Sequence, residues 1–169
     1  NIKFQKTYPD GRLDLNTGKA DAEIVDSTVA LAQCAANPNL QVLDILDDSP
    51  VEQYGFIFSK DNTALRDEFN DSLQHIMDNG LYDMIMEYYE ENGYSPETPS
   101  FFTTKGTLVV ETSPDCPPYD NMHGQEYVGT DMDIMRAIGY EIGYKTKLRR
   151  KHFHGNILSD QQGQCSVGA

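Results

Sequence analysis

Polar side chains that could contact a ligand cluster in a proline-rich loop. Ser113, Asp115 and Cys116 lie in this loop, directly after the apolar run of residues 108–110. Three prolines keep the loop out of a helix and make it extended and rigid. A rigid loop at the carboxyl end of a strand is where open α/β sheets bind ligands. Asp115 is therefore interpreted either as a ligand contact or as a solvated turn residue.

A second candidate position is formed by Asp26 and Ser27. Asp26 follows the apolar residues Ile24 and Val25 and stands where a helical pattern begins. An aspartate at this point is a good N-cap, which is what the local pattern favours, although its carboxylate could also face a cationic group of a ligand. Ser27 could add a hydrogen bond to the same ligand or share the cap.

The remaining polar residues are weaker candidates for a functional site. His152 and His154 alternate and share a face, but two histidines without a third ligand at a known spacing do not predict a metal site. One basic cluster, interpreted as a solvated strand edge, comprises Lys145, Lys147, Arg149, Arg150 and Lys151. The sequence contains none of the common catalytic or phosphate-binding motifs. It therefore predicts no catalytic residue, no metal and no cofactor.

Charge and cysteine content narrow the classes of function. The 169 residues carry 13 Lys+Arg against 27 Asp+Glu, a net charge of −14, and such a surface repels nucleic acid and anionic membranes. The length allows one compact domain or two small lobes. Three cysteines allow at most one disulfide within a chain. No apolar run approaches the ~20 residues of a membrane span.

Hydrophobic periodicity predicts strands and helices along the whole chain. We expect strands at residues 1–4, 22–25, 40–46, 108–110 and 146–148, and a turn at residues 8–11. One helix should begin at Asp26 and end at Asn37. Gly80 should separate two further helices. A fourth helix should follow a capping box made by Thr130 and Asp133 and end before Gly143.

Two helical faces are expected to belong to one core. Each is an apolar stripe at helical spacing, beside strands that need cover. The first stripe consists of Leu65, Phe69, Leu73 and Ile76, and the second of Ile134, Ile138 and Ile142.

Two ordered segments resemble the polar amino-acid group (family 3) of bacterial solute-binding proteins, the extracytoplasmic receptors of ABC importers. T-S-P-D-C-P-P at residues 112–118 is similar to the loop after that family's first strand. Y-V-G-T-D-M-D-I at residues 127–134 is similar to its next helix start. The resemblance implies an α/β fold of the periplasmic-binding-protein type II, whose two lobes hold the solute between them. Residues 53–58 resemble its return hinge strand.

The family's halves occur in reversed order. Residues 1–53 resemble the second half of lobe 2, residues 54–94 the C-terminal part of lobe 1, and residues 105–169 its N-terminal part. Residues 95–104 read as a linker. This order fits a circular permutant or the junction of two tandem binding domains. The resemblance implies one complete lobe plus half of the second, with an arginine-bearing segment of lobe 2 expected after Ala169.

The function implied by the resemblance is capture of a polar amino acid, or a similar small solute, for the membrane subunits of an ABC importer. The protein would be periplasmic or extracellular, secreted or lipid-anchored. Asp26 matches the aspartate that pairs with the ligand ammonium. Further ligand contacts implied by the resemblance are Ser27, Ser113, Asp115, Cys116 and Phe153. Cys116 stands where the family often has an aromatic ring.

Two other functions remain open for this sequence, and the resemblance also implies which partners could cover the half lobe. The chain could be a cyclohexadienyl-dehydratase-like enzyme on the same fold, or a non-binding structural or sensor fragment. Without the arginine segment, amino acids should bind no more tightly than about millimolar. The half lobe should also seek cover, as a homodimer, a domain-swapped assembly or a complex with a complementary fragment.

Overall fold

The computed structural model describes residues 1–43, 54–92, 105–151 and 167–168. Within them the fold is mixed α/β, with five helices, a parallel sheet and a small antiparallel sheet. The helices are α1 (Tyr8–Asn16), α2 (Ser27–Ala36), α3 (Thr63–Asp78), α4 (Leu81–Asn92) and α5 (Thr130–Glu141). The strands are β1 (Gly106–Thr112), β2 (Asn121–His123), β3 (Glu126–Val128), β4 (Tyr144–Arg150) and β5 (Val167–Gly168). None of the described helices is long and apolar enough to cross a membrane.

A parallel strand–helix–strand unit, β1–α5–β4, organises the fold. β1 lies between β4 and β5 and pairs with both in parallel. The β1–β4 register runs from Gly106 opposite Tyr144 to Thr112 opposite Arg150. Gly143, with a φ of 84°, turns the chain from α5 into β4 in a conformation that favours glycine. The carboxyl ends of β1 and β4 therefore meet at one edge, where the chain leaves β1 into residues 113–120.

The two predicted apolar helix faces do belong to one core. This core consists of Phe69, Ile76, Leu108, Val110, Ile134, Met135, Ile138 and Ile142. Leu65 and Leu73 pack against it from α3. Phe56 and Phe58 meet the Phe69 ring edge-on, with centroids 5.1 and 5.0 Å apart. The helices α3, α4 and α5 and the strands β1 and β4 all lie where the sequence predicted them.

The strands expected near the N-terminus are absent from the described residues. Residues 1–4, 22–25 and 40–43 form neither helix nor strand. A strand forms only where a neighbouring segment completes its hydrogen-bond ladder, and no described segment does so here. Residues 54–58 likewise form no strand, although Ile57 makes a single β-bridge. Residues 44–53 and the predicted linker, 95–104, lie outside the described residues.

Two local predictions are wrong at helix starts. Residues 8–11 open α1 and do not form a turn, because proline is tolerated in a first helical turn and the Thr7 hydroxyl accepts a hydrogen bond from the Asp10 amide at 3.3 Å. At α5 the N-cap is Gly129, with a φ of 134°. Thr130 is therefore inside the helix, and no side chain caps it. Only glycine fits position 129, because a Cβ there would overlap the Tyr119 carbonyl.

Candidate functional site

The loop after β1 is fixed by one buried carboxyl group, that of Asp120. Asp120 is 7% exposed. One of its oxygens accepts a hydrogen bond from the Thr112 hydroxyl at 2.5 Å, and the other accepts from the Cys116 amide at 3.0 Å. Backbone hydrogen bonds between Cys116 and Asp120 close the turn. The loop is therefore held against the carboxyl edge of the sheet, which presents Cys116 at a defined position.

Asp26 and Cys116 meet at a junction made by Tyr8. The Tyr8 hydroxyl donates a hydrogen bond to Asp26 Oδ2 at 2.7 Å, and the Cys116 side chain lies close enough to Tyr8 for each to affect the pKa of the other. Burial, followed by the Asp26 contact, raises the Tyr8 pKa well above its ordinary value. The phenol therefore stays protonated and continues to donate. Asp26 stands at the N-cap position of α2 but makes no side-chain cap hydrogen bond, so its carboxylate is committed to this junction.

The Cys116 thiol is neutral in this setting. Burial is the main cause that raises its pKa to about 12, and the carboxylates of Asp120, Asp26 and Asp115 add to the effect. Because the thiolate is the reactive form of cysteine, Cys116 is a poor nucleophile and a poor metal ligand here. Its sulfur is a small, polarisable group.

An aromatic pair borders the junction. The rings of Tyr54 and Tyr119 lie 4.6 Å apart between centroids, tilted by 35°. Tyr54 is 58% exposed and lies near enough to Asp26 and Cys116 for both to raise its pKa, after the larger effect of burial. Tyr119 thus supplies an aromatic surface three residues beyond Cys116.

A second carboxyl group, Asp131, lies beside Asp120 at the start of α5. Burial raises the Asp120 pKa to about 6. Burial and then the Asp120 charge raise the Asp131 pKa to about 7. The Asp131 amide donates to the Tyr119 carbonyl at 3.0 Å, which anchors the helix start on the loop. Near neutral pH these two groups can hold or release a proton, as a general acid or base requires.

The structure brings several of the predicted contact residues together. Asp26 and Cys116 share the Tyr8 junction, and Asp115 lies close enough to raise the Cys116 pKa. The Ser113 hydroxyl contacts Asp115 at 3.3 Å, so both polar groups are partly satisfied within the loop. Ser27 is exposed as the first residue of α2. Phe153, His152 and His154 lie outside the described residues, so their predicted roles stay predictions.

Sequence reasoning missed Tyr8, Tyr54, Asp120 and Asp131. Tyr8 was hidden in a Tyr-Pro-Asp-Gly segment that suggests a turn. Asp120 and Asp131 flank the hairpin formed by β2 and β3, which was not predicted. Their importance depends on burial by distant residues, and the sequence offers no local signal for it. The helix start at residues 129–131 was the one available indication for Asp131, since acidic residues are favoured in a first turn.

Two cations near the carboxyl edge, Arg149 and Lys151, are paired with a buried carboxylate. Glu111 is 2% exposed, and its Oε2 has no hydrogen-bond partner. Arg149 Nη1 lies 3.7 Å from Glu111 Oε1, and Lys151 Nζ lies 3.4 Å from Oε2. These pairs compensate a buried charge that would otherwise be costly. Among the residues described, no group of three side chains could hold a metal ion.

A groove of about 440 Å³ lies at the opposite, amino edge of the sheet. Two ion pairs join charged groups that line it. Glu141 contacts both Ser72 and His75, and Lys105 pairs with Glu68. These contacts tie α3 to α5 and to the segment that enters β1. The polar groups of the groove therefore hold these elements together. The candidate site remains the junction at the carboxyl edge.

The role of the site is inferred from its own geometry, because two comparisons with known proteins gave no match. No protein-family model matches the chain, and no solved structure matches it.

Proposed function

We propose that the chain binds a small polar solute of the amino-acid type at the Tyr8–Asp26–Cys116 junction. The observation that carries this proposal is that Asp26 and Cys116, which are 90 positions apart in the sequence, both lie beside Tyr8, whose hydroxyl donates a hydrogen bond to Asp26. Asp26 would accept the ligand ammonium, as the resemblance implies. Tyr54 and Tyr119 would line the side of the bound solute, because aromatic faces attract cations.

The wider proposal follows from the resemblance and from the placement of the junction. Residues 1–43 would form part of one lobe, and the β1–α5–β4 unit with α3 and α4 would form the other, in a fold of the periplasmic-binding-protein type II. Residues 54–58 would serve as a hinge segment between the lobes. Closure on the solute would shift the population toward the closed state. A periplasmic or extracellular receptor for an ABC importer is the role that fits this mechanism.

A thermal-shift screen of the twenty amino acids tests the binding proposal. A ligand at ten times its dissociation constant should raise the free energy of unfolding by about 1.4 kcal/mol. Asp26→Asn should abolish the shift, because the amide keeps an oxygen for Tyr8 but loses the charge. Asp21→Asn, at an exposed position nearby, is the control and should retain the shift. Equal ligand-induced shifts in melting temperature in both variants would show that Asp26 is not part of the binding site.

A second candidate function is acid–base catalysis of the dehydratase type. The pKa values of Asp120 and Asp131, raised to about 6 and about 7, favour it, because an effective acid or base titrates near the working pH. Turnover of prephenate or arogenate, followed by absorbance of the aromatic product, tests it. Activity that disappears in Asp131→Asn supports catalysis. If the wild-type protein is inactive but still binds amino acids, the site binds a solute without catalysing a reaction.

A further inference from the structure

Two half-buried carboxylates at the junction, those of Asp26 and Asp115, keep hydrogen-bonding capacity for a ligand. Asp26 Oδ2 accepts the Tyr8 hydroxyl at 2.7 Å, and its side chain does not cap α2. Asp115 Oδ1 is contacted by the Ser113 hydroxyl at 3.3 Å. Within the part of the chain that the structure describes, the second oxygen of each carboxylate has no hydrogen bond or ion pair. Both aspartates can therefore accept a cationic donor from a bound molecule.

The charges around the Cys116 thiol are negative. After burial, which is the largest cause, the carboxylates of Asp120, Asp26 and Asp115 raise the pKa of this thiol. Asp120 also acts on Asp131 at the start of α5. A ligand carboxylate brought to this place would add a further like charge, whereas an ammonium group would offset the charges already present. The junction therefore favours a solute with positive charges and disfavours one that carries a carboxylate.

The aromatic pair beside the carboxylates suits the same kind of solute. Tyr54 is exposed, so a solute can reach its ring, which lies 4.6 Å from that of Tyr119. It is also close enough to Asp26 for that carboxylate to raise its pKa, after the larger effects of burial and of Tyr119. Aromatic faces attract ammonium groups and pack against apolar chains. The pair can therefore hold the methylene chain of a molecule whose ends are charged.

We infer that the solute of this junction is a linear organic diamine, with one ammonium group on Asp26, the other on Asp115 and no carboxylate. This inference rests on the binding function proposed above and names the class of its ligand. Each ammonium donates a charge-assisted hydrogen bond to the oxygen that the described residues leave open. An amino acid supplies the first ammonium but brings its own carboxylate among the aspartates, so it binds more weakly.

Calorimetric titration of the full chain at pH 7 with four related ligands tests this inference. 1,5-Diaminopentane and pentylamine differ by one ammonium group, and lysine and norleucine are the same two molecules with a carboxylate added. The diamine should bind about tenfold more tightly than either pentylamine or lysine, and norleucine should bind most weakly. Diamines from 1,3-diaminopropane to 1,6-diaminohexane then show which chain length spans the two aspartates best.

Three variants locate the two ammonium groups. Asp26→Asn should weaken binding of all four ligands. Asp115→Asn should weaken the diamine more than pentylamine, so that the ratio of their affinities falls toward one. Asp83→Asn, at an exposed position on α4, removes the same charge elsewhere and should keep the wild-type ratio. Residual pentylamine binding by Asp115→Asn shows that this variant is folded.

The outcomes separate this inference from the proposed function. Lysine or norleucine that binds as tightly as the diamine, and loses binding in Asp26→Asn, would overturn the inference and leave the proposed function intact. If none of the four ligands binds, or if Asp26→Asn leaves binding unchanged, the proposed function fails as well. A preference for the diamine that Asp115→Asn and Asp83→Asn reduce equally would also overturn the inference, because it would come from the net charge of the chain.

Discussion

At the level of single residues, the raised pKa values of Asp120 and Asp131 make the stability of the protein depend on pH. Asp131 has a pKa raised to about 7 in the folded chain, above its ordinary value near 3.9. The folded state therefore binds a proton that the unfolded state has released, between about pH 4 and pH 7. Stability contributed by this group falls as the pH rises through that window. The slope can reach about 1.4 kcal/mol per pH unit for one such proton.

Asp131→Asn should therefore stabilise the protein at pH 7 and flatten the change in stability between pH 5 and pH 7. The amide removes a buried charge while it keeps the size of the side chain. Urea unfolding at the two pH values measures both effects. Asp83→Asn, at an exposed position on α4, is the control and should follow the wild type. A variant that loses stability at pH 7 would show that the ionised Asp131 has a stabilising partner.

The half-buried thiol of Cys116 gives a second prediction at the residue scale. With a pKa raised to about 12, Cys116 should be alkylated at pH 8 at least a hundredfold more slowly than free cysteine, because only the thiolate reacts. Peptide mapping after timed iodoacetamide treatment measures the rate. The same peptide in urea is the control and should react at the ordinary rate. Rapid alkylation of the folded protein would mean that the Tyr8 junction leaves the thiol open to solvent.

At the level of the elements, α3 and α5 are held by the core that they share with β1. Phe69 and Ile138 are 1% and 0% exposed. Replacing either by alanine should cost about 2–5 kcal/mol, because each change removes buried surface and leaves a cavity. Urea unfolding of Phe69→Ala and Ile138→Ala measures the loss. Met84→Ala, on the exposed part of α4, should stay within about 0.5 kcal/mol of the wild type. Small losses at both core positions would contradict the shared core.

The same elements show what the sequence could reveal. β1, α5 and β4 follow one another in the chain and bury each other, so their apolar periodicity alone predicted them. Residues 1–4 and 22–25 have strand-like patterns as well, but a strand also needs a partner, and the described residues provide none. The start of α1 was missed because Pro-Asp-Gly suits both a turn and a first helical turn.

At the scale of the whole molecule, the candidate site joins two parts of the chain that are otherwise loosely connected. Asp26 was selected because of the resemblance, since its local pattern alone favours a plain N-cap, and Cys116 was selected because it lies in a rigid loop after a strand. Their meeting at Tyr8 could not be predicted from the residues alone, since it depends on a contact across more than a hundred positions. The resemblance supplied that expectation, and the junction gives it a concrete geometry.

The most direct measurement is an NMR titration of the full chain at pH 7 with an amino acid selected by the thermal-shift screen, and with its methyl ester. If Asp26 pairs with the ammonium group, amides of residues 8, 26 and 116 should shift together, with a dissociation constant on the order of millimolar. The ester should bind at least as well, because Arg149 and Lys151 near the carboxyl edge are paired with Glu111 and the expected arginine-bearing segment is not part of this sequence. Asp26→Asn should abolish the shifts, and Asp21→Asn should preserve them. Shifts that persist in Asp26→Asn, or their absence in the wild type, would contradict solute binding at this junction.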